Sequence, residues 1–135
     1  MGIECYRADC FLVKCDELNI PEQQVHSVRN NFKRQGHVDN KLLINIVACN
    51  ETIPYILELE KRVSKENGVI VQNGPITVTT LDNEGKPVLA EVFERCKFYG
   101  VTSEELNYNH QNVHSFVLHF GYFNRYFDCL LNQTK

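Results

Sequence analysis

Three histidines lie close together near the end of the chain and are its most obvious candidates for metal ligands. His110, His114 and His119 are spaced by four and five residues, which would bring their imidazoles together on one face of a helix. Residues 113–122 alternate between two sets of side chains as a strand does, and this pattern predicts that His114 and His119 point to opposite faces of a sheet. We therefore predict no metal site and no cofactor.

The six cysteines show no spacing that is typical of a metal site or of a reactive thiol. They fall into two sets, Cys5, Cys10 and Cys15 at intervals of five residues, and Cys49, Cys96 and Cys129 far apart in apolar surroundings. Neither set has the ligand spacing of a zinc knuckle, and no local signature pairs a cysteine with a histidine for nucleophilic catalysis. We predict reduced thiols that pack as small hydrophobic side chains, with disulfides in an oxidising compartment as the alternative.

Other groups that could carry catalysis are explained as turns. Glu104 and Glu105, in the stretch SEEL, form a pair of carboxylates, but acid–base catalysis needs one of them in an apolar pocket, and adjacent acids in a loop are usually solvated. The turn glycines Gly68, Gly74 and Gly85 do not form a phosphate-binding loop. The sequence predicts no enzymatic activity and no small-molecule substrate.

A basic segment surrounds Phe32. In RNNFKRQGH the residues Arg29, Lys33 and Arg34 flank the ring, an arrangement that could stack on single-stranded nucleic acid, or that could form a solvated hairpin tip. The formal net charge of −3 argues against duplex nucleic acid as the main partner, because such binding usually needs a surplus of basic residues.

Length and composition indicate one globular domain. The chain has 135 residues, of which 43% are hydrophobic and 23% are charged, as in ordinary domains with a proper core. No apolar run approaches the ~20 residues of a membrane span. Glu4 and Asp9 occur where an export signal would be apolar, so export is not expected.

The first half of the chain predicts strands followed by one helix. A strand ends at Asn19, residues 24–32 form a weak strand of an exposed sheet, residues 31–41 form a polar hairpin loop, and residues 41–48 form an apolar strand covered on both faces.

The helix should begin at a cap, Asn50 or Thr52, have Pro54 in its first turn and end at Asn67-Gly68. Its predicted apolar side, which should pack on the sheet, consists of Ile53, Ile56, Leu57, Leu59 and Val63.

The second half predicts further strands. Residues 75–82 and 86–96 flank the turn DNEGK and should pair as a hairpin. Residues 98–112 form a longer connection, residues 113–123 form an alternating strand, and the tail from Asn124 forms a short helix that docks on a neighbour. The fold class is therefore mainly β with one packed helix, as a β-sandwich or small barrel.

The order of these elements resembles a known family. INIVACNETIPYILELEKRV (Ile44–Val63) and ITVTTLDNEGKPVLAEVFERCKFYGVTSEELNYNHQNVHSFVLHFGYF (Ile76–Phe123) are similar to stretches of the tail-tube proteins of contractile-tailed bacteriophages. The resemblance spans Phe11 to Phe123 and extends more loosely to the tube protein of type VI secretion, which shares the fold. It implies one tail-tube-like β domain over residues 1–122, with residues 123–135 as a C-terminal extension that docks on a neighbouring subunit.

The resemblance implies a structural virion protein and not an enzyme. It implies a homo-oligomer, a hexameric ring that stacks on further rings and lines a channel for the passage of DNA. Other tail or baseplate proteins would be its partners, the virion tail its location and the cytoplasm of the bacterial host its place of assembly, with no membrane involved. The loop that stacks one ring on the next would include Phe32, Lys33, Arg34 and His37.

Two departures from the family pattern leave the position along the tail open. Only ten residues precede Phe11, where the family has a full strand, and the tail after Phe123 is longer than a tube subunit needs. A baseplate, initiator or terminator subunit therefore fits as well as the main tube protein. The alternative function is a small phage-encoded binding module that regulates a host protein or binds single-stranded nucleic acid.

Overall fold

A computed structural model of the 135-residue chain describes residues 3, 5–32, 40–103 and 114–131. These residues form nine strands, one α-helix and a short 3-10 helix at Glu22–Gln24. The strands are β1 (Phe11–Lys14), β2 (Val25–Asn30), β3 (Lys41–Val47), β4 (Ile70–Val71), β5 (Ile76–Leu81), β6 (Pro87–Glu94), β7 (Lys97–Ser103), β8 (Ser115–Gly121) and β9 (Asn124–Cys129), and the helix is α1 (Thr52–Lys65).

The strands form two antiparallel sheets that enclose one core. The four-stranded sheet has the order β1-β5-β6-β9, and the five-stranded sheet has the order β2-β3-β8-β7-β4. Inward side chains of both sheets belong to the same hydrophobic cluster, to which α1 adds one face. Its fully buried members include Val13, Ile76 and Phe93 from the first sheet and Leu42, Ile44, Ile46, Phe98 and Leu118 from the second. The predicted fold class, a β-sandwich with one packed helix, is confirmed.

The apolar strand β3 lies in the middle of the five-stranded sheet, between β2 and β8. Leu42, Ile44 and Ile46 are fully buried, whereas Leu43 and Asn45, on the other face, are only partly buried. The prediction that both faces are covered is therefore wrong in part, because an antiparallel sheet can leave one face accessible.

A buried threonine fixes the corner between β3 and α1. The Thr52 hydroxyl donates a hydrogen bond to the Val47 carbonyl (2.7 Å) and accepts one from the Cys49 N–H (2.8 Å). The helix begins at Thr52, and no side chain caps it. The predicted position of the corner is right, but the predicted cap is wrong, since the hydroxyl bonds back to the preceding strand instead of to the first turn.

The helix ends as its sequence predicts. Asn67 has a φ of 59° and Gly68 a φ of 92°, and the Gly68 N–H donates to the Val63 carbonyl (2.8 Å). This is the left-handed ending for which Asn-Gly is suited.

The buried face of α1 is narrower than predicted. Ile56, Leu59 and Val63 are buried, whereas Ile53 is 45% exposed and Leu57 is 59% exposed. Buried positions spaced by three and four residues define one line along the helix, and Leu57 lies to the side of it. Including Ile53 and Leu57 in the packed side was therefore wrong.

Helix α1 also covers a strand edge. Among the strands that the structure describes, β4 covers this edge of β7 at Lys97 and Phe98 alone. Beyond this point the Val101 N–H donates to the Glu60 carboxylate (3.3 Å). The helix therefore satisfies part of an edge that would otherwise be exposed.

Two further segments differ from their predictions. Lys97–Ser103, predicted as part of a connection, is strand β7, and residues 104–113 lie outside the described residues. The tail is not a short helix, because Asn124–Cys129 pairs along β6 as the edge strand β9.

The two turns of the first sheet follow local chemistry. Strand β1 ends at Lys14 and not at Asn19, because the chain turns there: the Asn19 N–H donates to the Cys15 carbonyl (3.0 Å), and Asn19 has a φ of 49°. The predicted β5–β6 hairpin is confirmed, with the Asp82 carboxylate accepting from the N–H groups of Glu84 (2.9 Å) and Lys86 (2.8 Å).

Candidate interaction surfaces

The histidines do not form a metal site in the part of the chain that the structure describes. His119, on β8, shares a hydrogen bond of 2.7 Å with the Thr102 hydroxyl on the outer face of the five-stranded sheet, and burial together with the charge of Lys41 lowers its pKa. His114 packs edge-on against Phe116, which belongs to the inner face. These contacts lie on opposite faces of the sheet, as the sequence predicted for the two histidines. His110 lies outside the described residues. No group of three His, Cys, Asp or Glu residues within the described ranges could hold a metal.

The thiols occupy different environments. Cys15 and Cys96 are buried free thiols, and burial raises the pKa of Cys96 to about 12. Cys49 is a partly exposed free thiol, and the polar Thr52 hydroxyl, 3.6 Å from its Sγ, lowers its pKa. Cys5 is exposed.

Phe32 is held by contacts within its own chain. Its ring is stacked with Tyr122 at a centroid distance of 6.3 Å, and the Arg125 guanidinium lies 4.4 Å from its centroid. This ring is the one that the sequence suggested for stacking on single-stranded nucleic acid, but contacts within the chain already occupy it. The other residues of the predicted stacking loop, Lys33, Arg34 and His37, lie outside the described residues, so the role of this loop stays a prediction.

Arg125 is the centre of a polar cluster that the sequence did not indicate. Its guanidinium lies between Phe32 (4.4 Å) and Phe127 (4.5 Å) and forms an ion pair with Glu91 (3.1 Å). The Asn30 amide donates to the same carboxylate (3.5 Å). Asn30 is the last residue of β2, and Phe32 follows shortly after it. Glu91 and Arg125 belong to β6 and β9 of the other sheet, so the cluster joins the two sheets along one side of the sandwich.

A groove of about 820 Å³ crosses the outer face of the five-stranded sheet. Tyr99 forms part of it, with its ring directly above Gly121, where an added Cβ would lie only 2.9 Å from the ring. Tyr99 can reach this position because β7 has a bulge between Phe98 and Gly100. Gly100 has a φ of 144°, a conformation that favours glycine.

The groove is positively charged. Lys41 and Lys97 are both paired with Gly121, from the strands on either side of β8, so they flank the Tyr99 ring. Arg95 also lines the groove, and its guanidinium lies 5.0 Å from the centre of the exposed Phe123 ring. No carboxylate of the described residues lines the groove. Sequence reasoning missed this surface, because residues 41, 95 and 97 meet only through strand pairing.

Strand edges are the second type of interaction surface. Within the described ranges, strands β1 and β9 of the four-stranded sheet, and β2 of the five-stranded sheet, each have a neighbouring strand on one side only. Such edges carry backbone N–H and C=O groups that can pair with another chain. No helix in the described part of the chain is long and apolar enough to cross a membrane.

Comparison with known proteins relates the chain to contractile injection systems. No protein-family model matches the chain, and no curated protein sequence is significantly similar to it. Among solved structures, a chain of the anti-feeding prophage baseplate, in a six-fold symmetrised structure, aligns over 97% of this chain and 99% of its own length, at 15% identity and a TM-score of 0.61.

Two further structures are similar over nearly the whole chain. A chain of the anti-feeding prophage cap, which terminates the tube, aligns over 96% of this chain and 95% of its own length, at 8% identity and a TM-score of 0.62. A chain of the sheath–tube complex of the PVC extracellular contractile injection system aligns over 96% of this chain and 93% of its own length, at 14% identity and a TM-score of 0.59. The chain therefore has the tube-like fold of contractile tails, as its resemblance to tail-tube proteins predicted.

Proposed function

We propose that this chain is a structural subunit of a contractile tail or a related injection device. The observation that carries the proposal is the likeness of at least 96% of the chain to components of such devices, namely a baseplate, a tube-terminating cap and a sheath–tube complex. In this proposal the partners of the chain are copies of itself and other tail or baseplate proteins. Its location is the virion tail, after assembly in the cytoplasm of the bacterial host.

The proposed assembly is a hexameric ring that lines a channel and stacks on further rings. The six-fold symmetry of the baseplate structure supports the number of subunits. The one-sided strands β1, β9 and β2 supply edges that neighbouring subunits can cover. The net charge of −3 is compatible with the passage of DNA, because a negative channel wall repels phosphate.

Two segments have proposed roles in contacts between subunits. The segment that contains Lys33, Arg34 and His37 would contact the next ring, and in the sequence it follows directly after Phe32, whose ring is held by Tyr122 and Arg125. The edge strand β9 would dock on a neighbouring subunit in the same ring.

Sedimentation velocity of the purified protein, combined with negative-stain images, tests the proposal. We expect a species six times the mass of the chain and, at higher concentration, stacked rings. Deletion of Arg34–His37 should leave single rings but no stacks, because a surface loop contributes little to the core. Charge reversal at Lys33 and Arg34 should weaken stacking, more strongly at low salt, since exposed charges are screened beyond about 10 Å at 0.1 M.

The matched control reverses two lysines of α1, Lys61 and Lys65, which are exposed and lie on the helix instead of the loop. A protein that remains a monomer at every concentration and salt would contradict the proposal and favour the small binding module.

A further inference from the structure

We propose that the groove on the five-stranded sheet binds the N-terminal half of helix α1 from a second copy of this chain. The receiving surface, called the Tyr99 groove, consists of Lys41, Leu43, Arg95, Lys97, Tyr99 and Phe123. The inserted surface, called the α1 patch, consists of Glu51, Ile53, Leu57 and Glu58. The inference rests on the proposed assembly of copies and names the surfaces that would hold two of them together.

The Tyr99 groove has the composition of a binding surface for a protein segment. Tyr99 is 50% exposed and Phe123 is 69% exposed, so two aromatic rings face solvent beside cations. Aromatic residues and arginine are enriched where proteins contact one another. The bulge at Gly100 and the absence of a side chain at Gly121 position the Tyr99 ring across the sheet. The groove is therefore built by local backbone features and is not an accidental gap between side chains.

The charge of the groove selects an acidic partner. Among the residues that the structure describes, the groove contains three lysine and arginine side chains and no acidic one; apart from these three cations the chain has 11 cationic and 17 acidic side chains, a net charge of −6. Nucleic acid would be repelled by that remainder as it approached. A second copy presents a mainly acidic surface, which a cationic groove attracts.

The α1 patch combines exposed apolar side chains with carboxylates. Ile53 and Leu57 lie one turn apart and are 45% and 59% exposed, and Glu51 and Glu58 are exposed further round the same end of the helix. The helix has no lysine or arginine before Lys61. Apolar anchors spaced by four residues are typical of a helix that binds in a groove. The apolar side chains would contact Tyr99 and Phe123, and the carboxylates would approach the cations of the groove.

The two surfaces are different, so the contact is head-to-tail. A groove filled by a neighbour leaves the α1 patch of the same subunit free for the next copy, which produces a closed ring or an open stack. Every subunit then uses each surface once. This property separates the proposal from a two-fold dimer and can be tested with mixtures.

The test uses charge reversal on each side of the contact. The groove variant is Lys41→Glu with Lys97→Glu, and the patch variant is Glu51→Lys with Glu58→Lys. By sedimentation velocity, each variant should raise the concentration needed for assembly by roughly tenfold or more, because like charges would then face each other. One chain with all four substitutions should recover assembly. A mixture of the groove variant with the patch variant should also recover assembly, with the two chains alternating, since each groove then meets a patch of opposite charge on the other chain.

Controls separate charge from position. Lys65→Glu with Lys86→Glu, and Glu22→Lys with Glu84→Lys, make the same charge changes at exposed sites outside both surfaces and outside the edge strands, and should leave assembly unchanged. Gly121→Ala changes no charge, but its Cβ must displace the exposed Tyr99 ring, so it should weaken assembly while the melting temperature stays near that of the wild type.

The outcomes distinguish this inference from the proposed function. Assembly of the groove and patch variants at wild-type concentrations would overturn the inference and leave the structural role intact. A wild-type protein that stays monomeric would overturn both. If the wild-type protein binds a single-stranded oligonucleotide and the groove variant does not, the inference would also be overturned, because the groove would then be a nucleic-acid site.

Discussion

Two leucines on α1 test how the helix packs on the sandwich. Leu59 is 2% exposed and Leu57 is 59% exposed, although they are two residues apart on the same helix. Replacing Leu59 with alanine removes a fully packed side chain and leaves a cavity, which costs roughly 2–5 kcal/mol of unfolding free energy. Complete burial of a leucine contributes about 1.5–3 kcal/mol, so the two-fifths that Leu57 buries amounts to about 1 kcal/mol at most. The better helix propensity of alanine offsets a few tenths of that loss.

Urea and thermal unfolding, followed by far-UV circular dichroism at a concentration below assembly, measure both changes. We expect Leu59→Ala to lower the melting temperature by roughly 10 °C and Leu57→Ala by about 2 °C or less, from the entropy of unfolding of a domain of this size. Equal losses, or a larger loss for Leu57→Ala, would mean that the helix is rotated toward the wider apolar side that the sequence predicted. The reasoning on its packing would then be wrong.

Three further predictions concern single residues. Gly100→Ala should destabilise the fold by about 1–3 kcal/mol in urea unfolding, because of its positive φ, whereas Gly74→Ala, with no such φ and open space around it, should change stability little. Because the pKa of His119 is lowered, its contribution to stability is complete above about pH 6.5 and is lost as the pH falls below that value. His119→Asn should therefore make the protein less sensitive to acid. A pKa of about 6.5 or higher for His119, measured by NMR titration, would contradict this prediction. Cys96 is buried and its pKa is raised to about 12, so it should react with a thiol reagent only after unfolding. The exposed Cys5 should react in the native protein. Rapid labelling of Cys96 in the native protein would show that this thiol is not buried.

Local sequence patterns predicted the elements whose structure depends on local chemistry. The helix lies where Pro54 and Asn67-Gly68 place it, and the β5–β6 turn is stabilised by Asp82, which accepts two backbone hydrogen bonds. The alternation along β8 correctly indicated that Leu118 and Phe120 face the core. In each case the signal lies within a few residues of the feature it describes.

Long-range pairing explains what the sequence could not predict. Strand β7 was missed because its Gly100 and its polar end resemble a connection, yet pairing with β8 makes it extended. The tail NRYFDC has the aromatic residues of a docking helix, but the edge of β6 is available and β9 forms on it. β-propensity depends on such partners more than on the strand itself.

Both the Arg125 cluster and the Tyr99 groove follow from this pairing, and they differ in how their charges are compensated. At the Arg125 cluster, the guanidinium and the Glu91 carboxylate are only 18–20% exposed and neutralise each other within the chain. At the Tyr99 groove, Lys41 and Lys97 flank Gly121 with no carboxylate of the described residues among the groove lining. Charge left uncompensated on a formed surface is available to another molecule, whereas charge paired inside the sandwich is not. Since the groove has no carboxylate among its described residues, it is therefore a better candidate for contact with another molecule than the Arg125 cluster.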